Sequence, residues 1–304
     1  MITSTTGAAD TDENAAHHSV LGAVLINYRR ADLTRRCVSS LLDQVDYIAV
    51  VDNSESAAET TRLQDALTGI ARDSKTIVEI LVSHTNVGFA RGIQLGVDVL
   101  ASIPQLEAIL VINNDAQLGV SAVATLWQAM RMSRGLVLVA PHETTDGVPS
   151  VRWYQRTLAL VSKRRLPGSF AYISGACLLI PKQLLSTPLF DADFFMYGED
   201  VELSWRLTRS GVALTTVECT FTHAANSSSV TNSSFYEYYT ARGHILLARK
   251  LAHNLPDRIV LTLGRAITLP LRALMRSARA RNLTPVHALL QATAQPTVSR
   301  KPLP

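Results

Sequence analysis

The chain has 304 residues, of which 47% are hydrophobic, and this is enough apolar material for the core of one large domain or of a domain with an appendage. Three widely spaced cysteines in apolar patterns argue against a disulfide framework and against a zinc site. The net charge of +4 is uneven, because residues 235–304 carry +9 and residues 1–234 carry −5. No run of eighteen uninterrupted apolar residues occurs, so no membrane-spanning helix is expected.

The first eighteen residues are small and polar and lack the basic and apolar regions of a secretion signal. We predict that residues 1–18 are a disordered leader. The cysteine usage fits a reducing cytoplasm, where the Asn-Ser-Ser triplets at Asn226 and Asn232 would carry no glycan.

Strands and helices are predicted to alternate over residues 20–112. The apolar run SVLGAVLINY is followed by helical spacing in ADLTRRCVSSLLD, and the theme repeats through YIAVV, a helix at 57–71, TIVEILV, a helix at 88–100 and AILVIN. This order predicts a parallel sheet, which binds ligands beyond the carboxyl ends of its strands. Polar clusters follow three strands, and together they indicate one site although each alone is typical of a turn: NYRR, DNS and NND.

The alternation ends after Pro141. The stretch SFAYISGACLLI predicts one buried strand with Gly175 in its interior, where glycine permits close approach of a ligand or a backbone. The next stretch, FDADFFMYGEDVELSWRL, places acidic residues among aromatic ones. The simplest interpretation is that Glu199 and Asp200 begin a helix, since carboxylates favour the first turn. A catalytic carboxylate is the alternative.

A phosphate-binding site of the glycine-rich kind is not predicted. The turn after the first strand, NYRRADLT, has no glycine, and no P-loop occurs. A divalent cation held by oxygen and imidazole ligands is another common way to bind a diphosphate. Asp115 is then the candidate anchor and His223 the candidate second ligand, although a lone histidine is more often an ordinary residue.

An ordered set of motifs over about residues 20–228 resembles the inverting family 2 glycosyltransferases of the GT-A fold, especially bacterial rhamnosyltransferase-like members of cell-surface polysaccharide synthesis. The resemblance implies an α/β fold with a Rossmann-like nucleotide-binding half, a catalytic domain at 19–234 and a basic helical extension at 235–304. It also implies transfer of a sugar, with rhamnose as the candidate, from a dTDP- or UDP-sugar to a hydroxyl of a glycan or lipid-linked acceptor, with Mg²⁺ or Mn²⁺. The motifs are VLINYRR, VVDNSES, NVGFARGIQLGV, LVINNDA, SGACLLI, FFMYGEDVELSWRL and FTHAANSSS.

By this resemblance, Asp200 is the catalytic base, and Asp115 and His223 bind the metal. The acceptor and sugar side is assigned Gly175, Glu199 and Trp153. The donor nucleotide is assigned Asn27, Tyr28, Asp52, Asn86, Gly88, Arg91, Asn113, Asn114 and Asp115.

Two positions depart from the family pattern. Asn113 stands where the D-x-D motif usually has its first aspartate, and Gln94 stands where a second asparagine often follows. The loss of one carboxylate leaves less charge on the cation, so the need for a metal is an open point.

Two alternatives belong to other classes. A sugar-1-phosphate nucleotidyltransferase shares a similar nucleotide-binding half but usually begins with a glycine-rich loop, which NYRRADLT does not provide. A non-catalytic protein of this fold would bind a nucleotide sugar or glycan without turnover, and the presence of Asp115, Asp200 and His223 argues against it.

The C-terminal part is predicted to be helical and basic. FYEYYTARGHILLARKLAH reads as a packed helix, and the next helix is expected to kink at Pro270. A basic stripe on that helix would either face the headgroups of the inner membrane surface or simply be solvated. Nucleic acid is not expected as a partner, because the rest of the chain is acidic. The stripe consists of Arg258, Arg265, Arg272, Arg276 and Arg279.

Overall fold

The computed structural model of the protein describes residues 19–223 and 233–294. The predicted leader at 1–18, the triplet asparagines Asn226 and Asn232, and the end of the FTHAANSSS motif lie outside the described residues. All three cysteines lie within them and are free thiols. No helix in the described ranges has both the length and the apolar character needed to cross a bilayer.

The described residues form an α/β structure in which strands and helices alternate in the first half. The strands are β1 (Val20–Asn27), β2 (Tyr47–Asp52), β3 (Ile77–Val82), β4 (Leu106–Ile112), β5 (Ala116–Leu118), β6 (Val137–Pro141), β7 (Val151–Gln155), β8 (Leu160–Ser162), β9 (Ser169–Ile173), β10 (Cys177–Pro181), β11 (Ala213–Val217) and β12 (Phe221–His223). The helices are α1 (Ala31–Leu41), α2 (Ala57–Ala71), α3 (Gly88–Ala101), α4 (Ala122–Met132), α5 (Glu199–Arg209), α6 (Ser234–Lys250), α7 (Leu255–Ala280) and α8 (Thr284–Ala294).

A seven-stranded sheet lies at the centre, in the order β11-β6-β10-β4-β1-β2-β3. Its pairs are parallel except those made by β10, which runs antiparallel to β4 and β6. Helices cover both faces, and alternation along β1 divides the core into two layers. Leu25 packs with Val38 and Leu126 on one face, and Val24 packs with Ile93 on the other. The mostly parallel sheet predicted from the sequence is confirmed.

The prediction of one continuous strand through Gly175 is wrong. The stretch forms β9 and β10, which belong to different sheets, and residues 174–176 join them. β9 lies in a three-stranded antiparallel sheet with β7 and β8. The break arises because the chain turns between two sets of partners there: Ser174 donates its N–H to the Ser150 carbonyl, and the Ala176 carbonyl accepts from Asn113.

The arginines of α7 do not form the solvent-facing stripe that was predicted. Arg265 is only 3% exposed and donates to the carbonyls of His244, Arg156 and Leu261 at 2.7–2.9 Å. Arg272 donates to the Ala159 carbonyl at 2.7 Å. These carbonyls need donors because they lie in the protein interior, so the arginine side of the helix packs inward. α7 runs without a break through Pro270, the expected kink position.

The imidazole of His244 completes this buried network. Its Nε2 lies 2.8 Å from Arg272 Nη1 and its Nδ1 lies 3.0 Å from the Tyr154 hydroxyl. Burial, together with the charges of Arg272 and Arg265, lowers the pKa of His244 to about 3. The ring is therefore neutral at pH 7, accepts from Arg272 at Nε2 and carries its proton at Nδ1.

We expect Arg265→Met to lower the free energy of unfolding by at least about 2 kcal/mol, because it leaves buried carbonyls without donors. Arg258→Ala, on the exposed side of the same helix, should change it by less than about 0.5 kcal/mol. Urea unfolding of both variants is the measurement. If both substitutions change the free energy of unfolding by the same small amount, Arg265 is not buried and lies at the surface, as the sequence predicted.

Candidate active site

The carboxyl ends of β1 and β2 are joined by a buried hydrogen-bond network. Asn27 is in register with Asp52 and donates its Nδ2 to Asp52 Oδ1 at 2.9 Å. The other oxygen of Asp52 accepts from the Thr60 hydroxyl at 2.6 Å, and Ser54 Oγ donates to Oδ1 at 2.5 Å. Asp52 therefore holds this edge of the sheet together from a buried position. Its contact with a nucleotide base stays a prediction.

Tyr28 is the exposed aromatic group at this edge. It follows β1 directly, and the Arg29 guanidinium carbon lies 5.3 Å from its ring centroid. Arg29 has a left-handed φ of 53° and donates its backbone N–H to Ser54 Oγ at 2.9 Å. The Tyr28 ring is therefore partly exposed at this edge, with the Arg29 guanidinium over it.

The predicted nucleotide residues at the start of α3 make contacts within the protein. Asn86 Oδ1 accepts from the Gly88 N–H at 3.0 Å, which organises the turn into the helix. Arg91 is exposed and donates its Nε to the Ala192 carbonyl at 3.3 Å. These residues connect α3 to the chain that precedes α5.

Asp115 and His223 lie together, although 107 residues separate them in the sequence. β5 and β12 pair antiparallel with His223 opposite Ala116, the residue after Asp115. His223 Nε2 is 3.1 Å from Asp115 Oδ1 and 3.2 Å from Asn113 Nδ2. We call these two residues the Asp115–His223 pair. Asn114 instead points back to α1, where its Nδ2 donates to Thr34 Oγ1 at 3.1 Å.

The donor set of the Asp115–His223 pair fits a divalent cation that also binds a ligand. Within the described ranges, no three His, Cys, Asp or Glu side chains come together as a metal site. One carboxylate and one imidazole are nevertheless donors that Mn²⁺ and Mg²⁺ accept. The remaining coordination would have to come from water and from phosphate oxygens of the ligand.

Residues 190–198, which we call the acidic segment, are held between α3 and α6 by close backbone contacts. The Phe89 N–H donates to the Phe195 carbonyl at 2.7 Å. Gly88, with a φ of 80°, lies so close to Phe195 that no β-carbon would fit there. Gly243 of α6 lies against the Tyr197 carbonyl in the same way. The backbone of the acidic segment is therefore fixed from two sides.

α5 begins where the sequence predicts a helix start, with Glu199 and Asp200 in its first turn. Tyr197 and Gly198 precede it with left-handed φ values of 66° and 101°. No side chain caps the helix; instead Asp200 Oδ1 accepts from the Val201 N–H at 2.8 Å. The predicted helix start is confirmed.

The neighbouring carboxylates of Glu199 and Asp200 differ in their surroundings. Glu199 is 8% exposed, and burial, followed by the charge of Asp200, raises its pKa to about 8. Burial also raises the pKa of Asp200, but the charge of Arg152 and the N–H groups of Val201 and Gly175 oppose that rise. With its pKa raised to about 8, Glu199 holds its proton at pH 7, whereas the partners that favour a negative charge act on Asp200.

Gly175 lies behind Asp200. A β-carbon built on Gly175 would be 3.7 Å from the Asp200 β-carbon and 3.9 Å from the rings of Phe89 and Phe190. These are ordinary van der Waals distances to side chains, so a β-carbon would fit at Gly175, which lies in a turn rather than within a strand. The close approach of a ligand to Gly175 stays a prediction.

Arg152 is the β7 residue whose charge acts on Asp200 and opposes the rise in its pKa. Successive side chains of a strand point to opposite faces, and Trp153 instead lies 5.5 Å from the Arg165 guanidinium. The assignment of Trp153 to the acceptor side stays a prediction. Arg152 Nε is buried and has no hydrogen-bond partner among the described residues. Sequence reasoning missed Arg152 because the pairing of β7 with β9 decides which face is inside.

Glycosyl transferase family 2 matches residues 23–187, more than half of the chain. The chain belongs to this family. The match ends before Asp200 and His223, so the proposed roles of those residues depend on the geometry above. No curated protein matches the glycosyltransferase in sequence.

The glycosyltransferase has the GT-A fold with a helical C-terminal part. It is similar to a mannosyltransferase from Pyrobaculum calidifontis in complex with GDP-Man and Mn²⁺, with a TM-score of 0.56, 12% identity and coverage of 91% of this chain and 86% of that chain. A 4-diphosphocytidyl-2C-methyl-D-erythritol synthase from Anaerococcus prevotii reaches a TM-score of 0.44 at 13% identity, covering 66% and 89%. An inositol-1-phosphate CTP transferase from T. maritima reaches 0.41 at 12% identity, covering 68% and 89%.

The raised pKa of Glu199 predicts that the glycosyltransferase loses stability as the pH rises from about 4.5 to about 8. In this range the folded protein keeps a proton that the unfolded chain releases, so the free energy of unfolding falls by up to about 1.4 kcal/mol per pH unit. We expect Glu199→Gln to reduce this slope. Thermal unfolding across the range is the measurement. Glu218→Gln, at a side chain that is 85% exposed, is the control and should behave as wild type.

Proposed function

We propose that this glycosyltransferase moves a sugar from a nucleoside diphosphate sugar to an acceptor hydroxyl with inversion, and that Asp200 is the general base. The observation that carries the proposal is the unequal pair of Glu199 and Asp200, in which the partners that favour an anion act on Asp200. Hydrogen bonds connect this pair to the metal-binding candidates. Asn113, beside His223, donates to Ala176, which follows the Gly175 that contacts Asp200.

The proposed reaction needs one proton transfer and one substitution. The acceptor hydroxyl gives its proton to Asp200 while its oxygen forms a bond to the anomeric carbon. The bond from that carbon to the diphosphate oxygen breaks on the opposite side, and this inverts the configuration. The raised pKa of Asp200 makes it a stronger base than an exposed aspartate, and Glu199, which keeps its proton, does not compete for the same role.

Asp115 and His223 are the residues that would hold a divalent cation, Mg²⁺ or Mn²⁺. When bound, the cation supplies positive charge that stabilises a leaving diphosphate. The donor chemistry of the pair supports this assignment, as does the presence of Mn²⁺ with GDP-Man in the Pyrobaculum relative. Asn113 stands beside the pair and contributes no negative charge.

For the substrates, we propose a dTDP- or UDP-sugar donor, with rhamnose as the first sugar to test, and a glycan or lipid-linked acceptor. The exposed ring of Tyr28 offers a stacking surface for the base at the edge formed by Asn27 and Asp52. Residues 19–234 would act as the catalytic domain and 235–304 as a helical extension. The contact of Gly243 with the acidic segment supports a role of α6 in shaping the site.

We expect Asp200→Asn to lower kcat by a factor of about 10² to 10⁴ and to leave donor affinity near that of wild type, because Asn keeps the size of the side chain but not its basicity. Glu199→Gln should cost much less, since Gln resembles the protonated acid. Initial rates at saturating donor and donor titrations give both quantities.

Asp98→Asn, at an exposed carboxylate on α3, is the control for surface charge and should keep wild-type rates. An active Asp200→Asn together with an inactive Glu199→Gln would transfer the role of base to Glu199. If both variants are active, neither carboxylate is the base.

We expect Asp115→Ala to weaken binding of a nucleoside diphosphate and to abolish its dependence on Mn²⁺ or Mg²⁺. His223→Ala should show a smaller defect of the same kind. Calorimetric titration with UDP and dTDP, with and without metal, measures this without requiring turnover. His142→Ala, an exposed histidine away from the pair, should bind as wild type. Metal-dependent binding that survives Asp115→Ala would rule out this metal site.

A further inference from the structure

The outward side of α7 is apolar along most of the helix. Large aliphatic side chains recur there at every fourth position, with two more beside them, and each is between 48 and 70% exposed. We call this surface the α7 outer face. Its residues are Leu255, Ile259, Val260, Leu263, Ile267, Leu271, Leu274 and Met275.

The opposite side of α7 is fully used in packing. Leu261, Arg265, Leu269, Ala273 and Ser277 are buried, again at every fourth position. The helix is therefore anchored firmly by one side and cannot turn its aliphatic side inward without expelling Arg265 from its carbonyl partners. The exposure of the α7 outer face is thus a consequence of how the inner side is held.

The charges next to the α7 outer face are positive. Arg258, Arg279 and Arg281 are exposed near its two ends. Asp257 is the only acidic residue over residues 255–294, and it is paired with Arg156. An apolar strip with basic ends and no free carboxylate is the pattern of a helix that lies in the interface of an anionic bilayer.

We propose that the α7 outer face lies on the surface of an anionic lipid bilayer. Its aliphatic side chains would enter the boundary between headgroups and acyl chains, and the exposed arginines at its ends would meet the lipid phosphates. The α7 outer face extends from Leu255 to Met275, so the contact would be about 30 Å long and parallel to the membrane. It differs from the sequence-based hypothesis in that Arg265 and Arg272 point into the protein and do not reach the lipid headgroups.

A second copy of the chain fits this face less well. In a twofold, antiparallel pairing of two α7 helices, Arg258 of one copy would lie near Arg279 and Arg281 of the other. No carboxylate of residues 258–294 is available to compensate these like charges. An anionic lipid surface complements them instead.

The test is sedimentation of the full-length protein with sucrose-loaded phosphatidylcholine vesicles, with and without about 30% phosphatidylglycerol. We expect the wild type to bind, and to bind more strongly to the vesicles with phosphatidylglycerol. Leu263→Gln combined with Ile267→Gln should lower the partition coefficient at least about tenfold, because two inserted side chains are lost. Val120→Gln combined with Met132→Gln, at exposed sites near α4, is the matched control and should bind as wild type.

Circular dichroism and nucleotide titration check that each variant is folded, and Leu271→Gln with Leu274→Gln is a second pair on the same face. The proposal is overturned if the wild type stays in the supernatant with both vesicle types, or if both pairs of substitutions leave sedimentation unchanged. It is also overturned if the lipid-free wild type is a dimer that the substitutions dissociate, since the face then belongs to a second copy. None of these readouts depends on transferase activity, so the proposed reaction can fail independently.

Discussion

The contact of three backbones around the acidic segment is the constraint on which the site depends. Gly88 and Gly243 bring α3 and α6 so close to residues 195 and 197 that any side chain would collide. The Phe89 N–H then fixes the Phe195 carbonyl by a direct hydrogen bond. Because α5 follows immediately, its first turn inherits this position and places Asp200 against Gly175. Main-chain packing thus determines where the proposed base, Asp200, lies.

Buried polar groups determine how the C-terminal helices attach. Arg265 and Arg272 donate to carbonyls of α6, of α7 itself and of the turn between β7 and β8. His244 links Arg272 to Tyr154. A guanidinium has five N–H donors, so one side chain can serve several carbonyls at once. This requirement places the charged side of α7 inside and its aliphatic side in contact with solvent. The spacing of the arginines in the sequence had indicated a stripe at the surface instead.

Much of the fold could be predicted from the sequence, because the alternation of apolar runs and helical spacing is a local signal, and β1, α1 and β2 follow it closely. The parallel topology also allowed us to predict that the carboxyl ends of β1, β2 and β4 lie at the same edge of the sheet. Three features were not predictable, since each depends on pairing between distant segments. The strand break at Gly175 lies within a continuous apolar run and has no signal of its own. The pairing of β7 with β9 decides that Arg152, and not Trp153, lies on the inner side of the strand. The burial of Glu199, which raises its pKa above that of an ordinary carboxyl at a helix start, depends on packing.

The Gly243 contact also affects the order in which parts of the protein fold during synthesis. A chain emerging from the ribosome completes the β1–β4 edge, with Asn27 and Asp52, long before α6 has been made. The Tyr197–Gly198 turn has no support from Gly243 until then. Domains generally fold as their segments become available. The sheet edge with Asn27 and Asp52 can therefore form during synthesis, whereas the geometry around Asp200 becomes complete only when α6 packs against the acidic segment.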